Sequence, residues 1–143
     1  MLLPDYSTIL IVDNAEFIRM VVRLRLEGAG VAPKNIHEAE NGQEAYDLVV
    51  AKEIPNILCD YEMAVMDGIQ LATKLLIAEQ RREIRFVLFS GTPLPKITAA
   101  LSESGLNIPV ISKTRLRESW SQTDILSTWF PELSINLSHQ KKF

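Results

Sequence analysis

The sequence predicts an α/β protein: a doubly wound, five-stranded parallel sheet with helices on both faces. Five short apolar runs are separated by segments of helical periodicity, so strand and helix alternate five times. Four of the runs are nearly continuous in Val, Ile, Leu or Phe, which is typical of strands covered on both faces. This alternation indicates parallel βαβ units joined by right-handed crossovers.

The predicted strands are distributed along most of the chain. The second is the weakest, and its position follows mainly from its spacing to the others. The strands are Thr8–Val12, Asn35–Glu38, Ile57–Cys59, Phe86–Phe89 and Val110–Ser112.

The predicted helices follow the strands, one after each. In the first helix, Phe17, Val21 and Leu24 are expected to face the core, because they recur at helical spacing. Glycines just past this helix supply its stop. The helices are Ala15–Glu27, Gly42–Ala51, Ile69–Arg81, Pro95–Ser104 and about Leu116–Phe130.

Two helices carry stripes that assign their faces. In the third helix, Leu71, Leu75 and Ala78 form the stripe expected to be buried. In the last helix, steps of 100° per residue place Ile125 and Trp129 on the side away from the core. Exposed aromatic side chains can mark an interface. A homodimer through the last helices is therefore possible on the sequence. The alternative is that this helix ends early or that the tail covers Trp129. The face of the last helix assigned to the core comprises Leu116, Trp120, Thr123, Ser127 and Phe130.

The chain of 143 residues suits one domain, predicted over residues 5–130, followed by a short polar tail over residues 131–143. A net charge of −3 does not suggest nucleic acid or an acidic membrane surface as a partner. The single cysteine, Cys59, lies in an apolar run, so we expect a buried thiol and a reducing compartment. Without a recognisable signal peptide or spanning segment, the expected location is cytoplasmic.

Polar residues stand at the carboxyl ends of four predicted strands. In open parallel sheets, ligands bind beyond these ends, so the residues are expected to converge on one rim. They are Asp13 and Asn14 after the first strand, Asp60 and Glu62 after the third, Ser90 at the end of the fourth, and Lys113 after the fifth.

This group of residue types is suited to phosphoryl chemistry. Carboxylates at a rim can hold Mg²⁺, which keeps several waters and takes few protein ligands. A carboxylate can also act as a nucleophile toward a phosphoryl group. A hydroxyl, an ammonium and the metal would then neutralise the oxygens of the group in transfer.

Four sequence blocks resemble those of response-regulator receiver domains of two-component signalling. The block around Asp60 is the most specific, because Met66-Asp67-Gly68 follows at the spacing of the family. The resemblance implies a flavodoxin-like, CheY-like (βα)5 fold, Mg²⁺ as cofactor, and a histidine kinase or phosphotransfer protein as donor. The four blocks are Ile9–Arg19, Pro55–Gly68, Phe86–Gly91 and Val110–Lys113.

The resemblance also assigns roles to single residues. Asp60 would accept the phosphoryl group. Asp13 and Asn14 would occupy the positions of the acidic metal-binding pair, and Glu62 would offer its backbone carbonyl to the metal. Ser90 and Lys113 would bind phosphoryl oxygens.

Four positions depart from the pattern of the family. Asn14 stands where a second acid is usual, which should lower affinity for a hard dication. Val110 replaces the usual switch aromatic. Phosphorylation would then act on the surface through the loop Ser90–Leu94, or have little effect. Thr114 and Ala64 replace prolines. One hypothesis is that the carboxylate of Glu62 restores the charge missing at Asn14, the alternative being a solvent-facing side chain.

Three functions remain open on the sequence alone. The first is a phosphorylatable switch that signals to a downstream protein by altered contacts, without enzymatic turnover on a separate substrate. The second is a degenerate receiver that takes no phosphate and serves as a constitutive interaction module. The third, an unrelated α/β enzyme or nucleotide binder, is poorly supported because Asp13-Asn14-Ala15-Glu16 is not a phosphate-binding loop.

Overall fold

The computed structural model describes residues 5–114, 126–127 and 129–133. It confirms the predicted fold class: five parallel strands form one sheet in the order β2-β1-β3-β4-β5. Predicted and observed strands differ by at most one residue at either end. The strands are β1 Ile9–Val12, β2 Ile36–Ala39, β3 Asn56–Asp60, β4 Arg85–Ser90 and β5 Val110–Ser112.

The helices begin and end where the local sequence allows. Asn41 caps α2 by accepting the Glu44 N–H, and Asp67 forms a reciprocal capping box with Gln70 at the start of α3. In the described part of the chain, no helix combines the length and apolar character needed to cross a membrane. The helices are α1 Glu16–Gly28, α2 Gly42–Lys52, α3 Gly68–Ala72 continued by a π-helical segment Thr73–Ala78, and α4 Leu94–Ser104, with a 3₁₀ turn over Pro33–Asn35.

Two apolar layers cover the two faces of the sheet. One joins α1 and the described C-terminal residues to one face, and the other joins α2, α3 and α4 to the opposite face. The three central strands are therefore buried on both sides, which explains their continuous apolar sequence. Cys59 is among the fully buried residues, as predicted.

The predicted core face of α1 is wrong. Phe17 and Leu24 are 68% and 60% exposed, whereas Val22 and Leu26 are fully buried, and Ile18 packs beside them. The helix carries apolar side chains on two adjacent faces, so periodicity alone cannot decide which face meets the sheet.

In the third helix, Leu71 and Leu75 are buried as predicted, but Ala78 is exposed. The cause is the π-helical segment Thr73–Ala78, since its wider turn rotates the residues at its end relative to an α-helical stripe.

The predicted exposure of Trp129 is also wrong. Trp129 is 3% exposed, and its ring centroid lies 5.7 Å from that of Phe89. Phe130 is buried as predicted, whereas Ser127, assigned to the core face, is exposed. The buried residues recur at the i, i+3, i+4 and i+7 spacing of one helical face, so the face predicted to meet the core is the wrong one; they are Leu126, Trp129, Phe130 and Leu133. Trp129 therefore gives no support to an interface or a homodimer.

The core also extends beyond residue 130, because Leu133, in the segment predicted as a tail, is fully buried. Other residues named for the last helix, Leu116, Trp120, Thr123 and Ile125, and the tail from residue 134, lie outside the described residues.

Candidate functional site

The sheet brings the predicted site residues to one rim. Val12 pairs with Cys59 across β1 and β3, so the residues that follow them, Asp13 and Asp60, are neighbours. On the other side of β3, Ser90 pairs with Ser112, and Lys113 follows directly. Asp60 thus ends a central strand, between the carboxyl ends of β1 and β4.

Lys113 lies between the two carboxylates. Its Nζ is 2.7 Å from Asp13 Oδ2 and 3.3 Å from Asp60 Oδ1. The side chain of Asp13 is 2% exposed and that of Asp60 is 8% exposed, so the ion pairs are shielded from solvent. Two buried carboxylates in this arrangement require a cation close by.

Burial dominates the electrostatics of Asp60. Together with the charge of Asp13, it raises the pKa of this carboxyl from 3.8 to about 6, against the opposing effects of Lys113 and the Glu62 N–H. For Lys113, burial alone would lower the pKa, but the hydrogen bond to Asp13 and the charge of Asp60 outweigh it and the pKa rises. Lys113 therefore stays cationic at neutral pH.

Two further bonds hold the turn that carries Asp13. Its Oδ1 accepts the Ala15 N–H at 2.8 Å, and its backbone carbonyl accepts from Arg19 Nη1 at 2.7 Å. This leaves Oδ2 directed at Lys113.

An open cavity of about 550 Å³ lies over Asp60. Ser90 Oγ accepts the Thr92 N–H at 2.9 Å, and the Thr92 hydroxyl donates to Glu62 Oε1 at 3.0 Å. The loops after β3 and β4 are therefore linked across the mouth of the cavity. Its lining comprises Asn14, Asp60, Glu62, Ser90, Gly91, Thr92, Pro93, Lys96 and Lys113.

All six predicted site residues lie at this rim. Asn14, Asp60, Glu62, Ser90 and Lys113 line the cavity, and Asp13 is reached through Lys113. Sequence reasoning missed Lys96, in the first turn of α4, and Arg19, on α1. Neither residue directly follows a strand. The rule that ligands bind beyond the carboxyl ends of the strands therefore could not identify them.

The positions that depart from the family pattern take ordinary conformations. Val110 is half-buried and packs with the layer of α2, α3 and α4. The described residues contain no cis peptide bond. Thr114 N–H donates to Ser112 Oγ at 3.2 Å, and Lys113 nevertheless reaches both carboxylates.

The donor set can be tested against Mg²⁺. Among the described residues, no three His, Cys, Asp or Glu side chains group as a metal cluster. The rim offers the carboxylates of Asp13 and Asp60, with backbone carbonyls beside them. Mg²⁺ typically takes one or two carboxylates together with waters and phosphate oxygens, so the residues fit this ion. They do not fit a closed structural zinc site.

Known proteins resemble this chain in sequence. The family model of the response regulator receiver domain matches residues 9–119. The transcriptional regulatory protein SrrA of Staphylococcus aureus is 48% identical over 69 residues, which cover 48% of this chain and 27% of SrrA. The chain thus matches about a quarter of that relative's length.

Solved structures share the fold at lower sequence identity. The signal receiver domain of an HD domain-containing protein from Pseudomonas fluorescens Pf-5 has a TM-score of 0.71 at 22% identity, covering 95% of this chain and 93% of that one. A CheY-like receiver domain protein from Methanospirillum hungatei JF-1 has a TM-score of 0.69 at 19% identity, covering 96% and 99%. With the family match over most of its length, the chain belongs to the response regulator receiver domains, the signalling modules of two-component systems.

Proposed function

We propose that this receiver domain accepts a phosphoryl group on Asp60 and signals through the resulting change in its protein contacts. The observation that carries the proposal is the position of Lys113 Nζ, 2.7 Å from Asp13 and 3.3 Å from Asp60. A cation beside the acceptor can neutralise an incoming phosphoryl oxygen without moving far.

The transfer itself needs little from the protein beyond alignment and charge. An oxygen of Asp60 attacks phosphorus as the bond from phosphorus to the donor nitrogen or oxygen breaks, and the donor leaves with the bonding electrons. The pKa of Asp60 is raised to about 6, which still leaves most of the carboxylate ionised at neutral pH and therefore able to attack. Ser90 already accepts the Thr92 N–H, which leaves its own hydroxyl hydrogen available for a phosphoryl oxygen.

Asp13, Asp60 and the backbone carbonyl of Glu62 are the residues that would hold Mg²⁺, with Asn14 offering a neutral oxygen. When bound, Mg²⁺ supplies charge neutralisation for the phosphoryl oxygens.

The Glu62 carboxylate lines the same cavity as Asn14. This position supports the hypothesis that Glu62, through a bound water, replaces part of the negative charge that Asn14 lacks. Its present bond to Thr92 is the competing arrangement.

The output route follows from the same loop. A phosphoryl group that engages the Ser90 hydroxyl would reorient it and disturb its bond with Thr92. Thr92 in turn bonds Glu62, so the change would reach both loops and the start of α4. This route does not require an aromatic residue at position 110.

A surface for the phosphodonor is available next to the site. Phe17, Met20 and Leu24 are 68%, 48% and 60% exposed along α1, and Phe17 comes three residues after Asn14. Exposed apolar patches beside a reaction centre are typical of docking surfaces. We assign this α1 face to a histidine kinase or phosphotransfer protein, whose phosphohistidine must approach Asp60.

The test is the intact mass of the protein after incubation with Mg²⁺ and a small acyl phosphate. The wild type and Asp47→Asn, which changes an exposed carboxylate on α2, should each gain one phosphate. Asp60→Asn should gain none, because an amide is not a competent nucleophile.

Addition to Asp60→Asn would place the acceptor elsewhere and refute the proposal. No addition to the wild type, from either an acyl phosphate or a phosphohistidine donor, would favour the constitutive interaction module.

A further inference from the structure

Arg19 connects the site to the edge of the sheet through a single guanidinium group. Its Nη1 donates to the backbone carbonyl of Asp13 at 2.7 Å, and its Nε donates to Glu38 Oε1 on β2 at 3.1 Å. The side chain is only 15% exposed. Because the guanidinium is planar and rigid, fixing it on Glu38 also fixes the direction of its bond to Asp13.

The residue held in this way carries one of the two buried carboxylates of the site. The Asp13 N–H donates to the Ala39 carbonyl at 3.1 Å, and the Ala15 N–H donates to Asp13 Oδ1 at 2.8 Å. With the Arg19 bond, the backbone of Asp13 is thus anchored at both its donor and its acceptor. Small shifts of this turn would move the carboxylate away from Lys113.

We propose that Arg19 is a positioning residue that aims the Asp13 carboxylate into the site. Arg19 contacts neither the phosphoryl group nor a metal, and acts through the turn alone. The part of this inference that concerns Mg²⁺ rests on the proposed function. Because Asn14 brings no formal charge, the negative charge of the site comes from Asp13 and Asp60. If the Asp13 carboxylate is misplaced, no other carboxylate on its own loop replaces its charge.

Arg23 provides a matched control four residues along the same helix. Its Nε binds the other oxygen of Glu38 at 2.8 Å, and its Nη2 donates to the Ile36 carbonyl at 2.8 Å. Arg23 therefore shares the residue type, the carboxylate and the contact with β2. Its backbone partners, however, are the Ile36 carbonyl at the start of β2 and the Pro33 carbonyl before it, away from the rim.

The experiment compares Arg19→Met with Arg23→Met in the full chain by two measurements. The first is amide hydrogen exchange of Ala15 in the presence of a chelator, corrected for global stability, because this N–H bonds to the Asp13 carboxylate. The second is the dissociation constant for Mg²⁺ alone, measured by calorimetry. Arg19→Met should accelerate Ala15 exchange severalfold and weaken Mg²⁺ binding by about tenfold, as loss of an outer-shell partner typically does.

Further readouts separate positioning from a general loss of structure. Arg23→Met should leave both values near those of the wild type, and Arg19→Lys, which keeps one donor for the Asp13 carbonyl, should recover part of the Mg²⁺ affinity. In phosphorylation by an acyl phosphate, Arg19→Met should raise the Mg²⁺ concentration needed for half-maximal rate and leave the rate at saturating Mg²⁺ little changed.

Equal effects of Arg19→Met and Arg23→Met, or no effect of Arg19→Met on Ala15 exchange, would overturn the inference. A wild type that binds no Mg²⁺ would count against the proposed function instead. Ala15 exchange would then decide the role of Arg19 by itself.

Discussion

Asp60 is ionised at a cost to the stability of the fold. Burial, together with the charge of Asp13, raises its pKa from 3.8 to about 6, so the folded protein holds the proton more tightly than the unfolded chain does. Above this pKa the folded state must accommodate a buried charge that the unfolded state leaves in water. Perturbed groups of this kind are concentrated at functional sites.

The first prediction is that Asp60→Asn stabilises the protein at neutral and alkaline pH. The contribution of Asp60 is fully favourable below the unfolded pKa of 3.8 and is lost as the pH rises through about 6. The variant should therefore exceed the wild type by on the order of 3 kcal/mol at about pH 8, and by roughly half as much at about pH 5. The free energy of unfolding, measured with urea in a chelator, gives these values.

Asp47→Asn is the control, because Asp47 is exposed on α2 and its substitution should change stability by less than about 0.5 kcal/mol at any pH. A stability gain from Asp60→Asn that does not vary with pH would contradict the electrostatic origin.

Gly68 is the second residue on which the site depends, because its backbone lies against that of Asp60. A Cβ added at Gly68 would stand 2.4 Å from the Asp60 carbonyl oxygen and 2.7 Å from Leu88 Cδ2. At Gly91, on the next loop, an added Cβ meets no atom within 4 Å.

We therefore expect Gly68→Ala to lower the free energy of unfolding by about 1–3 kcal/mol through overpacking, and Gly91→Ala to change it by less than about 0.5 kcal/mol. Denaturant unfolding of the two variants checks this difference. Equal stability of the two variants would contradict the close contact between Gly68 and the Asp60 carbonyl.

Helix α1 carries two apolar faces, one buried and one exposed. One face packs on the sheet through Ile18, Val22 and Leu26. The other exposes Phe17, Met20 and Leu24. An amphipathic helix needs only one apolar face to fold, so the exposed face is available for a function outside the domain.

Two leucines of this helix allow a matched test. Leu26 is fully buried and Leu24 is 60% exposed. Leu26→Ala should destabilise the protein by about 2–5 kcal/mol through lost burial and a cavity, whereas Leu24→Ala should change stability by less than about 0.5 kcal/mol. Thermal or denaturant unfolding distinguishes the two.

The same Leu24→Ala variant tests the docking face. It should slow phosphotransfer from a phosphohistidine protein and leave transfer from a small acyl phosphate unchanged, because in the proposed docking arrangement only the protein donor would cover α1. Unchanged rates with both donors would remove α1 from the docking surface.

The fold and the rim were predictable because both depend on strand ends. Continuous apolar runs located four strands, and parallel pairing then brings Asp13, Asp60, Ser90 and Lys113 together whatever the helices do. The strand order places β3 at the centre of the sheet, and Asp60 therefore lies in the middle of this rim. These features depend on local sequence and on the general geometry of parallel sheets.

The side-chain environment of the helices was less predictable. Helix α1 has two apolar faces, and tertiary packing decides which of them is buried. In the third helix, a π-helical turn changes the direction of Ala78. Trp129 is buried against Phe89 because it lies on the same helical face as the buried Leu126 and Leu133, not on the face predicted to be exposed. The bond from Arg19 to Asp13 depends on the three-dimensional turn, which sequence spacing does not encode.

Chemical trapping of the phosphorylated residue tests whether Asp60 is the phosphoryl acceptor. After incubation with Mg²⁺ and an acyl phosphate, borohydride reduces an aspartyl phosphate to homoserine, which peptide mass spectrometry locates. We expect homoserine at position 60, dependent on Mg²⁺ and absent when the donor is omitted. An unmodified Asp60 in a protein that has gained phosphate at another residue would contradict this expectation.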